Sequence, residues 1–389
     1  MTEVLAQTGV SPDRAVSGFA GQRFAAVRDT FAASLASGAD LGGSVAITIE
    51  GEPVVDLWGG FANEAKTRAW ERDTIVNVYS VTKTITAMTA LLLADRGDLN
   101  VDAPVARYWP EFAANGKAGI TVAQVMAHAS GLSGWKEPMA SEDLYDWEKA
   151  TTLLAAQAPF WEPGAAPGYH GVTHGFLIGE IVRRITGASI GTVFRAEIAE
   201  PLGADFHIGL GSEHDARVAD LTRPPPPQLP PGVVPSELLI NIALNAPLRV
   251  EATATRDWRA AEIPAANGHG NARAIATIHA VLANGGVSQG RRILSEVGCR
   301  LALTHRIEGI DLVLGVPAHF GLGFGLPGAW LETPNPDSLF WCGWGGAFAL
   351  IDMNARTSIA YVMNRMNAGT LVDPRALALA EATWSALAA

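Results

Sequence analysis

Lysine is scarce in this chain. Its 389 residues include only five, Lys66, Lys83, Lys117, Lys136 and Lys149, so the placement of each one carries information. Basic residues of both kinds number 28 against 39 acidic ones, a net charge of −11 with no basic stripe. That balance makes nucleic acid and anionic membrane poor partners and promotes solubility. Cysteine is nearly absent. Cys299 and Cys342 lie far apart and form no CxxC pair, so two inert thiols are expected in place of a zinc or redox site. No apolar run reaches the length of a membrane span; the longest, around Met88 to Ala94, is far too short. Neither GxGxxG nor GxxxxGK[ST] occurs, and the histidines show no HExxH spacing, so no cofactor and no metal is expected. The first twenty residues, MTEVLAQTGVSPDRAVSGFA, lack a basic segment followed by an apolar core. They predict no secretory signal and a cytoplasmic address.

What is present is a globular composition, 48% hydrophobic and 17% charged, with length enough for one large domain or two ordinary ones. "FAAVRDTFAASLASG" has helical spacing and stops at glycine. "GGSVAITIEGEPVVDLWGG" gives two strands joined at Glu50-Gly51. Helical segments follow at 144–157, 174–186, 190–199 and 235–245, with long loops between them. The proline run "RPPPPQLPPGVVP" (223–235) predicts an extended surface connector. "NARAIATIHAVLANGG" is an amphipathic helix, "AFALIDMNARTSIAYVMN" two further strands, and 374–388 a last helix. Strands at both ends with helices between predict a discontinuous α/β domain, 1–105 with 271–389, sharing one antiparallel sheet. A mostly helical domain, 106–270, is inserted in it.

One helix breaks a rule. After Ser80 the run "VTKTITAMTALLLAD" is apolar or small on every side, which is the pattern of a buried helix. Yet Lys83 sits in its first turn, where lysine is rarely buried unpaired and where the helix dipole favours acids. Ser80 reads either as a plain N-cap or as a nucleophile. A capping box would have Glu or Gln three residues on; here that place holds Lys. Residues three apart share a helix face, and burial lowers a lysine's pKa, so Lys83 as a neutral amine is able to take the Ser80 proton.

Such a site needs a second acid/base group and a second oxyanion donor. Tyr169, in "WEPGAAPGYHG", is a candidate proton shuttle if a lysine cation lowers its pKa; equally, it reads as a loop tyrosine packed by its ring. "FWCGWGGAF" (340–348) is a glycine-rich strand entry. It reads as a bulge, or as a place where substrate approaches the backbone and the Ala347 N–H is offered. His128 is expected to be structural. His170, Trp135, Trp341 and Trp344 are candidates to shape a pocket. "GVSQG" (286–290) matches GxSxG, but it follows a helix end and does not form a strand-to-helix turn, so Ser288 is set aside.

Taken in order, SxxK, a tyrosine after W-x-P-G and a glycine-rich strand entry resemble the serine β-lactamases and penicillin-binding proteins. The likeness is closest to the family VIII carboxylesterases, and it spans nearly the whole chain. It implies a β-lactamase-like α/β fold, a central antiparallel sheet flanked by helices plus a mostly helical second domain. It also implies Ser80 as the acylated nucleophile, Lys83 with Tyr169 as the proton-transfer pair, and the N–H groups of Ser80 and Ala347 as the oxyanion hole. Two departures bear on substrate. Where β-lactamases carry Lys-Thr-Gly, this chain reads Trp344-Gly345-Gly346, and where they carry Tyr-x-Asn it reads Tyr169-His170-Gly171. Both grips on an anionic amide are missing, which predicts a small-molecule ester as substrate and a carboxylesterase. The alternatives are β-lactamase, D-aminopeptidase or other amide hydrolase, acyltransferase, and a non-catalytic assembly-forming relative.

Overall fold

A computed structural model describes residues 16–226 and 235–389. Most of the first twenty residues and the middle of the proline run lie outside them. The chain's two ends meet in one six-stranded antiparallel sheet. Its order is Val16–Ala20, Glu52–Gly60, Gly42–Ile49, Thr357–Met363, Phe348–Asp352, Ser338–Cys342. The first hairpin turns at Glu50 and Gly51, both with positive φ (53° and 82°), the geometry that matches a hairpin's twist.

Successive strand residues face opposite sides, and helices cover both. On one side Ser44 accepts the Ala272 N–H at the start of the Ala272–Ala283 helix, which lies against the middle strands. On the other, Tyr361 (paired with Val45) donates to Asp40, which also holds Arg375 of the Pro374–Ala388 helix. That helix packs against Ala25–Ser37. Covered on both faces, the Thr357–Met363 strand is buried at every position.

The intervening chain is largely helical, with Trp147–Ala156, Thr173–Thr186 and Glu237–Leu244 close to their expected limits. The segment expected as one helix over 190–199 is α-helical only for Ile190–Phe194 and widens to a π-helix over Arg195–Ala199. The helix after Ser80, Thr82–Asp95, is buried from Thr82 to Leu93 and packs against Thr173–Thr186. Its threonines tolerate burial by turning their hydroxyls to main-chain carbonyls, Thr84 to Val81 and Thr89 to Ile85. Short strands Val76–Asn77 and His269–Gly270 pair just ahead of it. They tie the serine turn to the segment that precedes the 272–283 helix.

Candidate active site

Ser80 lies in a 3₁₀ turn, Tyr79–Val81, that feeds the buried helix. It makes no capping bond, so the plain N-cap reading fails. Tyr79 takes φ 43°, a region that bulky residues avoid. Its ring is buried against Trp344, centroids 5.0 Å apart, which holds the strained turn in place.

The Ser80 Oγ is 3.0 Å from Lys83 Nζ and 2.6 Å from Tyr169 Oη. Lys83 has no exposed surface, and its Nζ donates to the carbonyls of Gly171 (2.7 Å) and Ala265 (3.0 Å). Burial alone drives its pKa well below the ordinary lysine value. A neutral amine fits these contacts: two N–H groups meet two carbonyls, and the lone pair faces the serine hydroxyl. An ammonium fits as well, spending its third N–H on the same Oγ. The site therefore holds the lysine before and after it takes a proton.

Tyr169 differs from expectation. Burial pushes its phenol up, and the hydrogen bond with Ser80 only partly opposes this. The lysine cation invoked to lower it is disfavoured by the same burial, which drives the Lys83 pKa well below its ordinary value. Tyr169 thus keeps its proton at neutral pH and is equipped to donate it.

Sequence reasoning missed Asp311. Its Oδ1 accepts the backbone N–H groups of Tyr169 (3.1 Å), Val313 (2.9 Å) and Leu314 (2.9 Å), pinning the Tyr169 loop to the turn of a hairpin. Burial raises its carboxyl pKa. The one available signal was an acid set inside an apolar run, "GIDLVLG".

The glycine-rich segment is placed differently from the expectation. The sheet edge meets the serine turn at Gly343, where a Cβ would come within 2.3 Å of the Val78 carbonyl, and Trp344 follows on the cavity wall. Gly345 and Gly346 instead back onto Met366 and onto Asp373 with Arg375, at φ 93° and 132°. They serve a turn and close packing, not substrate approach. Ala347 sits across the hairpin, its carbonyl taking the Gly343 N–H at 2.7 Å.

Three candidate pocket residues are buried away from the cavity. Trp135 donates its indole N–H to Ala150 O and packs on Phe176. Trp341 lies behind Tyr169, against His128. His170 donates Nδ1–H to Gly168 O and accepts at Nε2 from Ser130 and Leu132, bracing the Tyr169 loop. Burial lowers its pKa to about 4, so it stays neutral. His128 accepts the His170 N–H at Nδ1, in keeping with a structural residue. Ser288 is buried in a two-residue strand and spends its hydroxyl on Thr277 O.

Above Ser80 and Tyr169 opens a cavity of about 1020 Å³, walled by Leu239, Ile242, Ala243, Val313, Leu314 and Trp344 among others. Among the described residues no charged side chain lines it. Asn367, which the sequence reading overlooked, supplies a side-chain amide to the wall and donates to Asp373 at 2.7 Å. Among the described residues no helix is long and apolar enough to cross a membrane.

Residues 27–383 match the family model described as Beta-lactamase. The chain is 35% identical over 386 residues to Esterase/beta-lactamase LipL of Mycobacterium tuberculosis (strain ATCC 25618 / H37Rv), covering 93% of this chain and 86% of that protein. It superposes on the crystal structure of a family VIII carboxylesterase with a TM-score of 0.91 at 43% identity, over 95% of this chain and 99% of the other. A penicillin-binding protein homologue from Caulobacter crescentus matches with a TM-score of 0.88 at 40% identity, again over 95% and 99%. A family match across nearly the whole chain, on a fold that brings Ser80, Lys83 and Tyr169 together, leaves one conclusion: this chain belongs to the beta-lactamase family.

Proposed function

We propose that the protein is a carboxylesterase acting on esters with an apolar acyl or alcohol group through a Ser80 acyl-enzyme. One observation carries this reading: a serine oxygen held between the Lys83 amine at 3.0 Å and the Tyr169 phenol at 2.6 Å, beneath a cavity that no charged side chain lines among the described residues. Ser80 Oγ attacks the ester carbonyl carbon while its proton passes to Lys83 Nζ. The oxyanion is received by the Ser80 N–H and by a second main-chain N–H of the glycine-rich segment, expected at Ala347. As the carbon–oxygen bond breaks, Tyr169 protonates the leaving alkoxide, and the Lys83 ammonium restores the phenol. Water then cleaves the acyl-enzyme by the reverse path. A second alcohol in place of water gives acyl transfer. The names of the relatives at 35% and 43% identity support the ester assignment.

The test is p-nitrophenyl butyrate hydrolysis by purified variants. Ser80→Ala is expected to lose about 10⁴-fold in kcat/KM, and Ser288→Ala to lose nothing. A Ser80→Ala protein as fast as wild type sinks the proposal. A second reading, β-lactam hydrolysis at the same serine, is favoured by the Asn367 amide on the wall and by the double name of the 35% identical relative. Nitrocefin turnover exceeding ester turnover would make it the primary one.

A further inference from the structure

Outside this site, the hairpin behind the cavity wall carries a second constellation. Strand Ile307–Ile310 pairs antiparallel with Pro317–Phe320, which puts Glu308 directly opposite His319. Side chains so placed share a face, about 5 Å apart at Cβ. His305 joins them from just ahead of the first strand. Its Nδ1 is 3.0 Å from His319 Nε2, and one ligand atom from each of the three residues lies within 4.8 Å of the others.

The pair is prepared for more than a hydrogen bond between imidazoles. His319 Nδ1 is 2.9 Å from the Pro327 carbonyl. A carbonyl only accepts, so the proton is on Nδ1 and Nε2 presents its lone pair. A carbonyl-held N–H on the far side of the ring is how proteins aim a metal-binding imidazole. His305 must then lend Nδ1–H to the contact, and a cation can take the place of that single proton while His305 carries its own proton on the other nitrogen. Two nitrogens bound to one zinc ion at 2.0–2.1 Å stand about 3.3 Å apart in a tetrahedron, close to the separation found. Arg306, the charged neighbour, is compensated by Asp102 at 2.7 Å.

We infer that His305, Glu308 and His319 form a site for a borderline-soft divalent cation of the zinc class, with water completing the shell. Two imidazoles and a carboxylate suit zinc better than magnesium or calcium, which take oxygen ligands. Spacing alone conceals the site, because the three residues converge only through strand pairing. The ion clamps the two strands at their open end. At their closed end Asp311 holds the Tyr169 loop, and Val313, Leu314 and Val316 line the cavity.

The test is calorimetric titration of zinc chloride into full-length, tag-free protein after EDTA treatment, with thermal unfolding in parallel. One equivalent should bind per chain and raise the unfolding midpoint. The double variant His305→Ala/His319→Ala should bind none and show no zinc-induced shift, and Glu308→Gln should weaken binding about tenfold or more. Magnesium chloride should give no heat of binding. All three side chains are at least partly exposed, so a zinc-free melt matching wild type is expected of each variant, and Glu308→Gln alone decides if the double variant misfolds. A wild-type protein that binds no zinc overturns the inference. So does a variant that binds it as tightly as wild type.

Discussion

Lys83 and Lys117 both lie wholly out of water, and neither is paired with a carboxylate among the described residues. Both are held by main-chain carbonyls. Lys117 reaches three of them, on Ala114 (2.8 Å), Ala155 (2.9 Å) and Gln157. Lys83 reaches two, and its third neighbour is the Ser80 hydroxyl. A carbonyl can only accept, so Lys117 has use for all three hydrogens of an ammonium. A hydroxyl can also donate, so the same contact gives Lys83 somewhere to point a lone pair. Burial lowers both, Lys117 to about 8 and Lys83 well below its ordinary value. One exchanged partner separates a rivet between loops from the base proposed for Ser80.

Removing each lysine tests that distinction most directly. Lys83→Met, and likewise Tyr169→Phe, should lower kcat/KM on a short-chain ester by about 10²–10⁴-fold, the usual worth of a positioned acid or base. Both variants should stay folded, with the loss of activity far larger than any fall in the unfolding midpoint from the two carbonyls that lose the Lys83 donor. Loss of activity only in step with loss of fold would erase the contrast. Lys117→Met should do the opposite, leaving kcat/KM of the folded protein unchanged while costing about 1–3 kcal/mol in denaturant titrations, because buried carbonyls lose their donor. A subtler effect is its pH dependence. The folded Lys117 value of about 8 lies below that of the unfolded chain. The unfolded state therefore binds more protons above pH 8, and stability should rise with pH from there toward about 10. Lys117→Met should flatten that rise. The smallest signal is in the activity profile, followed by pH-stat on an aliphatic ester. With Lys83 uncharged and Tyr169 protonated at rest, kcat/KM should stay level from neutral into mildly alkaline pH and fall on the acid side. A limb near the ordinary lysine value would mean that the resting amine is charged.

How much of this was legible in the sequence depended on range. Ser80 and Lys83 are three residues apart on one helix, so their meeting follows from helical periodicity, and the apolar run announced the burial. Four of the sheet's six strands were legible by alternation, and their place at the two ends of the chain predicted one shared antiparallel sheet; Val16–Ala20 and Ser338–Cys342 were not read as strands. The glycine-rich segment was misjudged because its register against the serine turn is set by strand pairing, on which "GWGG" has no side-chain pattern to offer. Trp135, Trp341 and His170 were misplaced for a related reason: aromatic rings in a site's neighbourhood serve as backing as readily as lining. Lys117 and Asp311 acquire meaning only through contacts with residues distant in the chain, and no local spacing encodes those.

The two carbonyls that hold Lys83 come from far-apart stretches, Gly171 just after Tyr169 and Ala265 on the approach to the 272–283 helix. In an unfolded chain this lysine carries an ordinary charge and can accept nothing. On the proposed mechanism its chemistry therefore switches on only when those stretches have docked. Turnover regained after refolding accordingly counts native molecules one by one, so the enzyme serves as its own reporter of a completed fold.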